Sequence, residues 1–266
     1  MYELSRIAAE LDREAADTAG STVIVASSLG PTGDIMAPFG PLTHGNAVEI
    51  FHKQAAGLKV GGTDVLWLET ISTPEEYKAA AEGFALAGID WCGTMSFDTA
   101  SRIMMGMTSA GIVTMVEAMP NPPLGFGVNC GSGASDLLCA VLGFASQGCP
   151  LPIIEKGNAG IPKYFDSHIH YDDTPDLMAH YAVMAQVCGA TIIGGCCGTM
   201  QDHLRKMRAT LDSQTKRQAP TLDRITHRIG PFSSLNDGTS DTAAPKPRRC
   251  SGCITKTTAE KSAINP

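Results

Sequence analysis

Apolar, β-branched runs alternate with segments of helical period through most of the chain. Six runs read as strands, at 22–28 (TVIVASS), 65–70 (VLWLET), 91–97 (WCGTMSF), 124–130 (LGFGVNC), 152–158 (PIIEKGN) and 190–197 (ATIIGGCC). Helical patterns lie between them at 46–61, 74–87, 134–147 and 175–188, with another at 201–212. An amphipathic, charge-studded helix opens the chain. Thr73-Pro74-Glu75-Glu76 and Thr174-Pro175-Asp176 have the cap residue and following proline that start a helix. Buried strands separated by helices predict βα units and a parallel sheet. No G-x-G-x-x-G follows the first strand, which argues against a dinucleotide-binding sheet. A (β/α)₈ TIM-type barrel fits better, because Glu69, Cys130, Asn158, Cys196 and Cys197 all fall at C-terminal strand ends, where such barrels place their sites.

The strand count is six rather than eight, so the barrel reads as incomplete. Residues 1–212 form the predicted barrel domain. The polar stretch 213–266, rich in Thr, Ser, Asp, Pro and Arg, is expected to be largely disordered, with a short helix at 221–229.

Composition narrows the class of protein. The chain has 266 residues, 43% of them hydrophobic, and a net charge of −7. That charge disfavours general nucleic-acid binding, and only a short KPRR cluster near the C-terminus is basic. No apolar stretch reaches the roughly 18–20 residues of a membrane span. The first residues lack the layout of a signal peptide, so a cytoplasmic location is expected. Nine cysteines in such a chain point to metal binding or catalysis where they cluster, rather than to a disulfide framework.

They cluster in two motifs. Cys130 ends the run LGFGVNC, and Cys196-Cys197 lie between the pair Gly194-Gly195 and Gly198 in ATIIGGCCGT. Neighbouring strand residues face opposite sides, so two adjacent cysteines reach one metal only where the strand ends and the backbone turns; Gly194, Gly195 and Gly198 permit that. Three thiolates from two strand ends suit a zinc ion with its fourth position open, and such a site lowers the pKa of a bound thiol. Glu69 ends an otherwise apolar strand, so its carboxylate is expected at the barrel mouth. Asn129 and Asn158 are strand-end amides that either orient a ligand carboxylate or bind loop backbone. Ser28, with the turn Gly30-Pro31-Thr32-Gly33, lies at the same rim and is no phosphate loop. Cys92, Cys139, Cys149 and Cys188 read as core or incidental positions. Ile103–Met107 (IMMGM) reads as packing or loop, and Cys250-x-x-Cys253 as an idle pair in the tail.

GVNC at 127–130 and GGCCGT at 194–199 resemble the zinc-dependent homocysteine S-methyltransferases, a family that includes the betaine–homocysteine enzymes. ASSLGPTGD at 26–34, DVLWLETI at 64–71 and GNAGIP at 157–162 extend the resemblance across about 1–212. It implies a (β/α)₈ barrel with Zn²⁺ on Cys130, Cys196 and Cys197, and a substrate sulfur as fourth ligand. It further implies that Glu69 contacts the homocysteine amino group. Methyl transfer to the zinc-bound thiolate would then form methionine. Betaine is the expected donor, with S-methylmethionine or a folate or corrinoid system as alternatives.

The chain departs from the family at its front. The usual D-G-[AG]-M/L-G-T segment and a second strand ending near T-N-T-F do not occur, so the first two βα units read as missing. Two unpaired strand edges would follow, which predicts instability, aggregation or pairing with another chain, a homo-oligomer included. A non-catalytic zinc-binding remnant is therefore a second reading. A third is a metal-dependent hydrolase using His168 and His170, although KYFDSHIHYDDTP reads as a loop and its other ligands are not apparent.

Overall fold

The computed structural model describes residues 1–97, 102–131, 133–213 and 220–232. Six strands form one wholly parallel sheet: β1 (Ala26–Leu29), β2 (Val65–Ile71), β3 (Trp91–Ser96), β4 (Phe126–Cys130), β5 (Ile153–Gly157) and β8 (Ile192–Gly195). Their order in space is their order along the chain. Helices α2 (His44–Val60), α3 (Pro74–Ala87), α4 (Ser109–Glu117), α5 (Ala134–Ser146), α6 (Pro175–Cys188) and α7 (Gln201–Ser213) each follow a strand in turn. This is an incomplete (β/α)₈ barrel of six consecutive βα units, with α1 (Tyr2–Asp17) before it and α8 (Leu222–Arg228) after it.

Strand alternation separates the two faces of the sheet. Leu66, Leu68, Trp91, Met95, Phe126, Val128 and Ile153 are buried against the helical layer, where Phe84, Tyr77 and Phe144 pack edge-on or tilted against Trp91 and Phe126. The pairings Trp67↔Cys92, Thr94↔Gly127, Asn129↔Lys156 and Lys156↔Gly194 put those residues on the opposite, inward face. Toward the N-terminal strand ends this face opens into a cavity of about 1490 Å³ lined by Trp67, Cys92, Leu124, Pro152 and Ile192. The cysteine motifs lie at the other end.

The helix starts follow the sequence signals. Thr73 and Thr174 accept from the backbone N–H of Glu76 and Leu177, with proline in the first turn of each helix. The first strand is shorter than its apolar run, because residues 22–25 stay outside the sheet and Val25 N–H is taken by the Asp64 carboxylate. Residues 163–170, expected as a loop, instead form a small antiparallel hairpin, β6 (Lys163–Phe165) with β7 (His168–His170), inside the β5–α6 connection. The short helix expected at 221–229 is α8; Ile225 is fully buried, and Ser135 Oγ donates to Gly230 O at 2.6 Å. The rest of the expected disordered tail, with Cys250 and Cys253, lies outside the described residues. Among the described residues, no helix is long and apolar enough to cross a membrane.

Candidate metal centre

The three cysteines from separate motifs converge. Their sulfurs all lie within 4.8 Å of one another, the one group of three potential ligands found among the described residues. Cys130 Sγ is 3.0 Å from Cys196 Sγ and 3.7 Å from Cys197 Sγ. Tetrahedral zinc with Zn–S near 2.3 Å needs sulfurs about 3.8 Å apart. The cluster can therefore hold such an ion after a shift of under about 1 Å at the Cys130–Cys196 pair. Its outer side is open: Cys130 and Cys196 are half-buried and Cys197 is exposed.

Backbone geometry explains how adjacent cysteines serve one site. β8 ends at Gly195; Cys196 N–H then donates to Gly157 O at 2.7 Å, and Thr199 N–H closes a turn onto Cys196 O. Gly198 lies in the left-handed region at φ 74°, and a Cβ there would meet the Tyr171 ring at 2.3 Å, so glycine is required on two grounds. Asn158 Oδ1 accepts from Cys197 N–H at 3.1 Å, and Ala159 N–H donates to Cys197 O. Cys130 itself has φ 58°, and Thr70 of β2, which bonds to the adjacent Asn129, has φ 64°. Left-handed backbone at a β-branched residue is strained and persists only where the surroundings enforce it.

Asn129 enforces it. Its side chain is fully buried. Oδ1 accepts from Thr70 N–H at 2.8 Å and Thr94 Oγ1 at 2.7 Å, while Nδ2 donates to Thr70 Oγ1 at 2.8 Å. The same nitrogen lies 3.7 Å from Cys196 Sγ. Both strand-end amides accept from a backbone N–H through Oδ1, and Asn129 also lies against a sulfur.

The sulfurs share charge unevenly. Cys196 is pulled down to about 5, chiefly by the hydrogen bond from Cys130, helped by Asn129, the Cys197 backbone N–H and the charge on Lys156. Cys130 is pushed well up, first by that same hydrogen bond to Cys196, then by burial and the neighbouring negative sulfurs. The metal-free pair thus shares one proton, with the negative charge favoured on Cys196.

Glu69 sits on the inward face beside this cluster, already partnered: Ser28 Oγ donates to Oε1 and Lys156 Nζ to Oε2, both at 2.5 Å. Both members of the ion pair keep about 20% side-chain exposure. Sequence reasoning did not single out Lys156, Thr70 or Tyr171. The period-two alternation that put Asn129 inward would have placed Lys156 beside it; nothing local marks Thr70 or Tyr171. His168 and His170 stay apart from the cysteines as ligands: His168 Nδ1 pairs with Asp166 O, and the His170 ring stacks on Phe165. The other four described cysteines, Cys92, Cys139, Cys149 and Cys188, are fully or partly buried, as expected of packing residues.

Comparison with known proteins places the chain in a family. The family model for homocysteine S-methyltransferase matches residues 1–211. The chain therefore belongs to the homocysteine S-methyltransferase family. The homocysteine methyltransferase MmuM from Escherichia coli has a similar fold: in its apo form the TM-score is 0.58 at 23% identity, over 78% of this chain and 70% of that one. The metallated form of the same protein gives a TM-score of 0.56 at 23% identity, over 78% of this chain and 67% of that one.

Proposed function

We propose that this chain transfers a methyl group to the sulfur of homocysteine, giving methionine, with zinc held by Cys130, Cys196 and Cys197. The observation that carries the reading is the convergence of these three sulfurs within 4.8 Å at the C-terminal strand ends. Zinc bound there would keep a substrate thiol ionised near neutral pH while leaving its sulfur nucleophilic. Cys196 enters already as a thiolate, and Asn129 and Asn158 fix the backbone and sulfur on either side of it. Glu69 would take the substrate ammonium and aim the sulfur. Attack on the methyl carbon then depends on positioning, with no side chain required as general base.

Betaine is the donor we favour, on the sequence resemblance alone. The grouping of three cysteines at one strand-end site, rather than in a disulfide framework, fits a reducing, cytoplasmic compartment. Purified zinc-loaded protein given homocysteine and betaine should form methionine, and Cys196→Ala should abolish it. Turnover with S-methylmethionine but not betaine would reassign the donor. Stoichiometric zinc without turnover for any donor would favour the non-catalytic remnant, a reading supported by the six-stranded open sheet.

A further inference from the structure

Lys156 is the one cation among the described strand residues that face inward, and its surroundings hold it there. Its stem lies against Gly194, where a Cβ would stand 3.4 Å from Lys156 Cγ. The ammonium is 5.4 Å from the centroid of the Trp67 ring and paired with Glu69. In register, Lys156 sits beside Asn129 on β4, one residue before Cys130, and Gly194 on β8, two residues before Cys196. A half-buried Lys–Glu pair at this point has a consequence for any amino-acid thiol held on the metal.

Homocysteine brings an ammonium and a carboxylate on one carbon. Three thiolates on a divalent ion leave a net charge of −1, and Glu69 adds another. A substrate carboxylate entering beside them with no cation to meet would be left repelled and poorly solvated. Of the amides that sequence reasoning offered for it, Asn129 is enclosed and bonded on both ends, and Asn158, whose Oδ1 holds Cys197 N–H, offers only a neutral donor that leaves the added charge unbalanced.

We propose that Lys156 is the carboxylate-recognising residue of the acceptor site, so that Glu69 and Lys156 together read the zwitterion of the amino-acid thiol. Resting on the methyl-acceptor function proposed above, this names how that acceptor is selected. In the ligand-free protein the two residues satisfy each other. On binding, the substrate ammonium replaces Lys156 at Glu69 and the substrate carboxylate takes the freed Lys156, so one ion pair becomes two and no charge is stranded. A site built this way rejects a thiol lacking either charge, because the unmatched protein group must stay paired internally or go unpaired.

The test is calorimetric binding to zinc-loaded protein of homocysteine, of 3-aminopropanethiol (no carboxylate) and of 4-sulfanylbutanoate (no ammonium). Wild type should prefer homocysteine to 3-aminopropanethiol by about tenfold or more, the scale of one charge-assisted contact. Lys156→Met should bring the two within about twofold by weakening homocysteine alone, and Lys156→Arg should keep much of the preference. Lys156→Gln serves the same purpose should the methionine variant fail to fold. An unchanged preference in Lys156→Met overturns the proposal. So does an equal loss for both ligands, which would limit Lys156 to propping Glu69. Wild-type protein that binds none of the three thiols overturns the methyl-acceptor reading itself, and this inference with it.

Discussion

The Asn129 side-chain amide reaches the Cys196 sulfur, 3.7 Å away, from a position with no solvent exposure. The same amide holds the strained Thr70 through two hydrogen bonds, one to its backbone N–H and one to its hydroxyl, and accepts a third from Thr94. One residue thus ties β2, β3, β4 and the cysteine turn after β8.

Asn129→Ala should be costly in two measurable ways. It leaves Thr70 N–H, and both threonine hydroxyls, without their buried partner, at about 1–3 kcal/mol for each group that stays unsatisfied. Urea unfolding should show a loss of about 2 kcal/mol or more. Zinc affinity, measured by competition with a chromophoric chelator, should fall by about tenfold to a hundredfold, as for other residues that support metal ligands. An alanine variant with unchanged zinc affinity would show that the amide contributes nothing to the sulfur.

Zinc uptake should depend on pH with a definite sign. Cys196 is a thiolate above about 5, while Cys130 retains its proton well above the ordinary thiol range. Binding must displace that proton, so affinity rises with pH. Between pH 6 and 8 the apparent affinity should climb by about tenfold or more per unit. A flat profile in that range would mean that the thiol–thiolate pair does not carry the ligands.

Metal removal should loosen the chain across the sheet. Cys130 ends β4 and the vicinal pair follows β8, with β5 between them, so a shared ion clamps strands that do not pair directly. Zinc at a hundred times its Kd stabilises the fold by about 2.7 kcal/mol. A chelator should therefore lower the thermal midpoint of wild type by several degrees and leave Cys197→Ala nearly unmoved. Replacing His168 or His170 with alanine should leave zinc stoichiometry intact; loss of metal in either would revive the hydrolase reading.

The alternation of apolar runs and helical periods was enough to find all six sheet strands and every helix that follows one of them except α4, because those elements bury continuous or amphipathic faces. It also found the cysteine turn, since two adjacent thiols flanked by glycines have few other uses. It missed α4, a nine-residue helix (Ser109–Glu117). Ile112, Val113 and Val116 are β-branched and weaken its helical signal, and its clearest mark is the Thr108 cap on Gly111 N–H. The hairpin at 163–170 was hidden for the opposite reason: Lys163–Phe165 is wholly exposed and has no face to bury. At the site, residue types located the ligands, but side-chain partners decided roles. Nothing local in VLWLET says that Glu69 is already paired with a lysine from 87 positions further on.

Glu155 offers a test of the other face of the sheet. It precedes Lys156 on β5 and so points away from the metal, into the helical layer; it is fully buried, and neither carboxylate oxygen has a hydrogen-bond partner among the described residues. Burial, with a smaller push from the Cys196 charge, holds its pKa well above the ordinary value of 4.5, and burial followed by Glu155 pushes the Cys188 thiol up to about 12. The folded chain therefore keeps this proton where the unfolded chain has lost it. Below about pH 4.5 both states are protonated and the group has no effect on stability. As pH rises from there toward the folded value, the unfolded state binds fewer protons, and stability falls by up to about 1.4 kcal/mol per unit. Glu155→Gln keeps the shape and removes the titration. In urea unfolding at fixed zinc, its advantage over wild type should be small at pH 4.5 and grow steadily toward pH 7.5. Parallel wild-type and variant curves across that range would mean that the carboxylate finds a partner on ionising, and that the sheet's outer face is less dry than its packing requires.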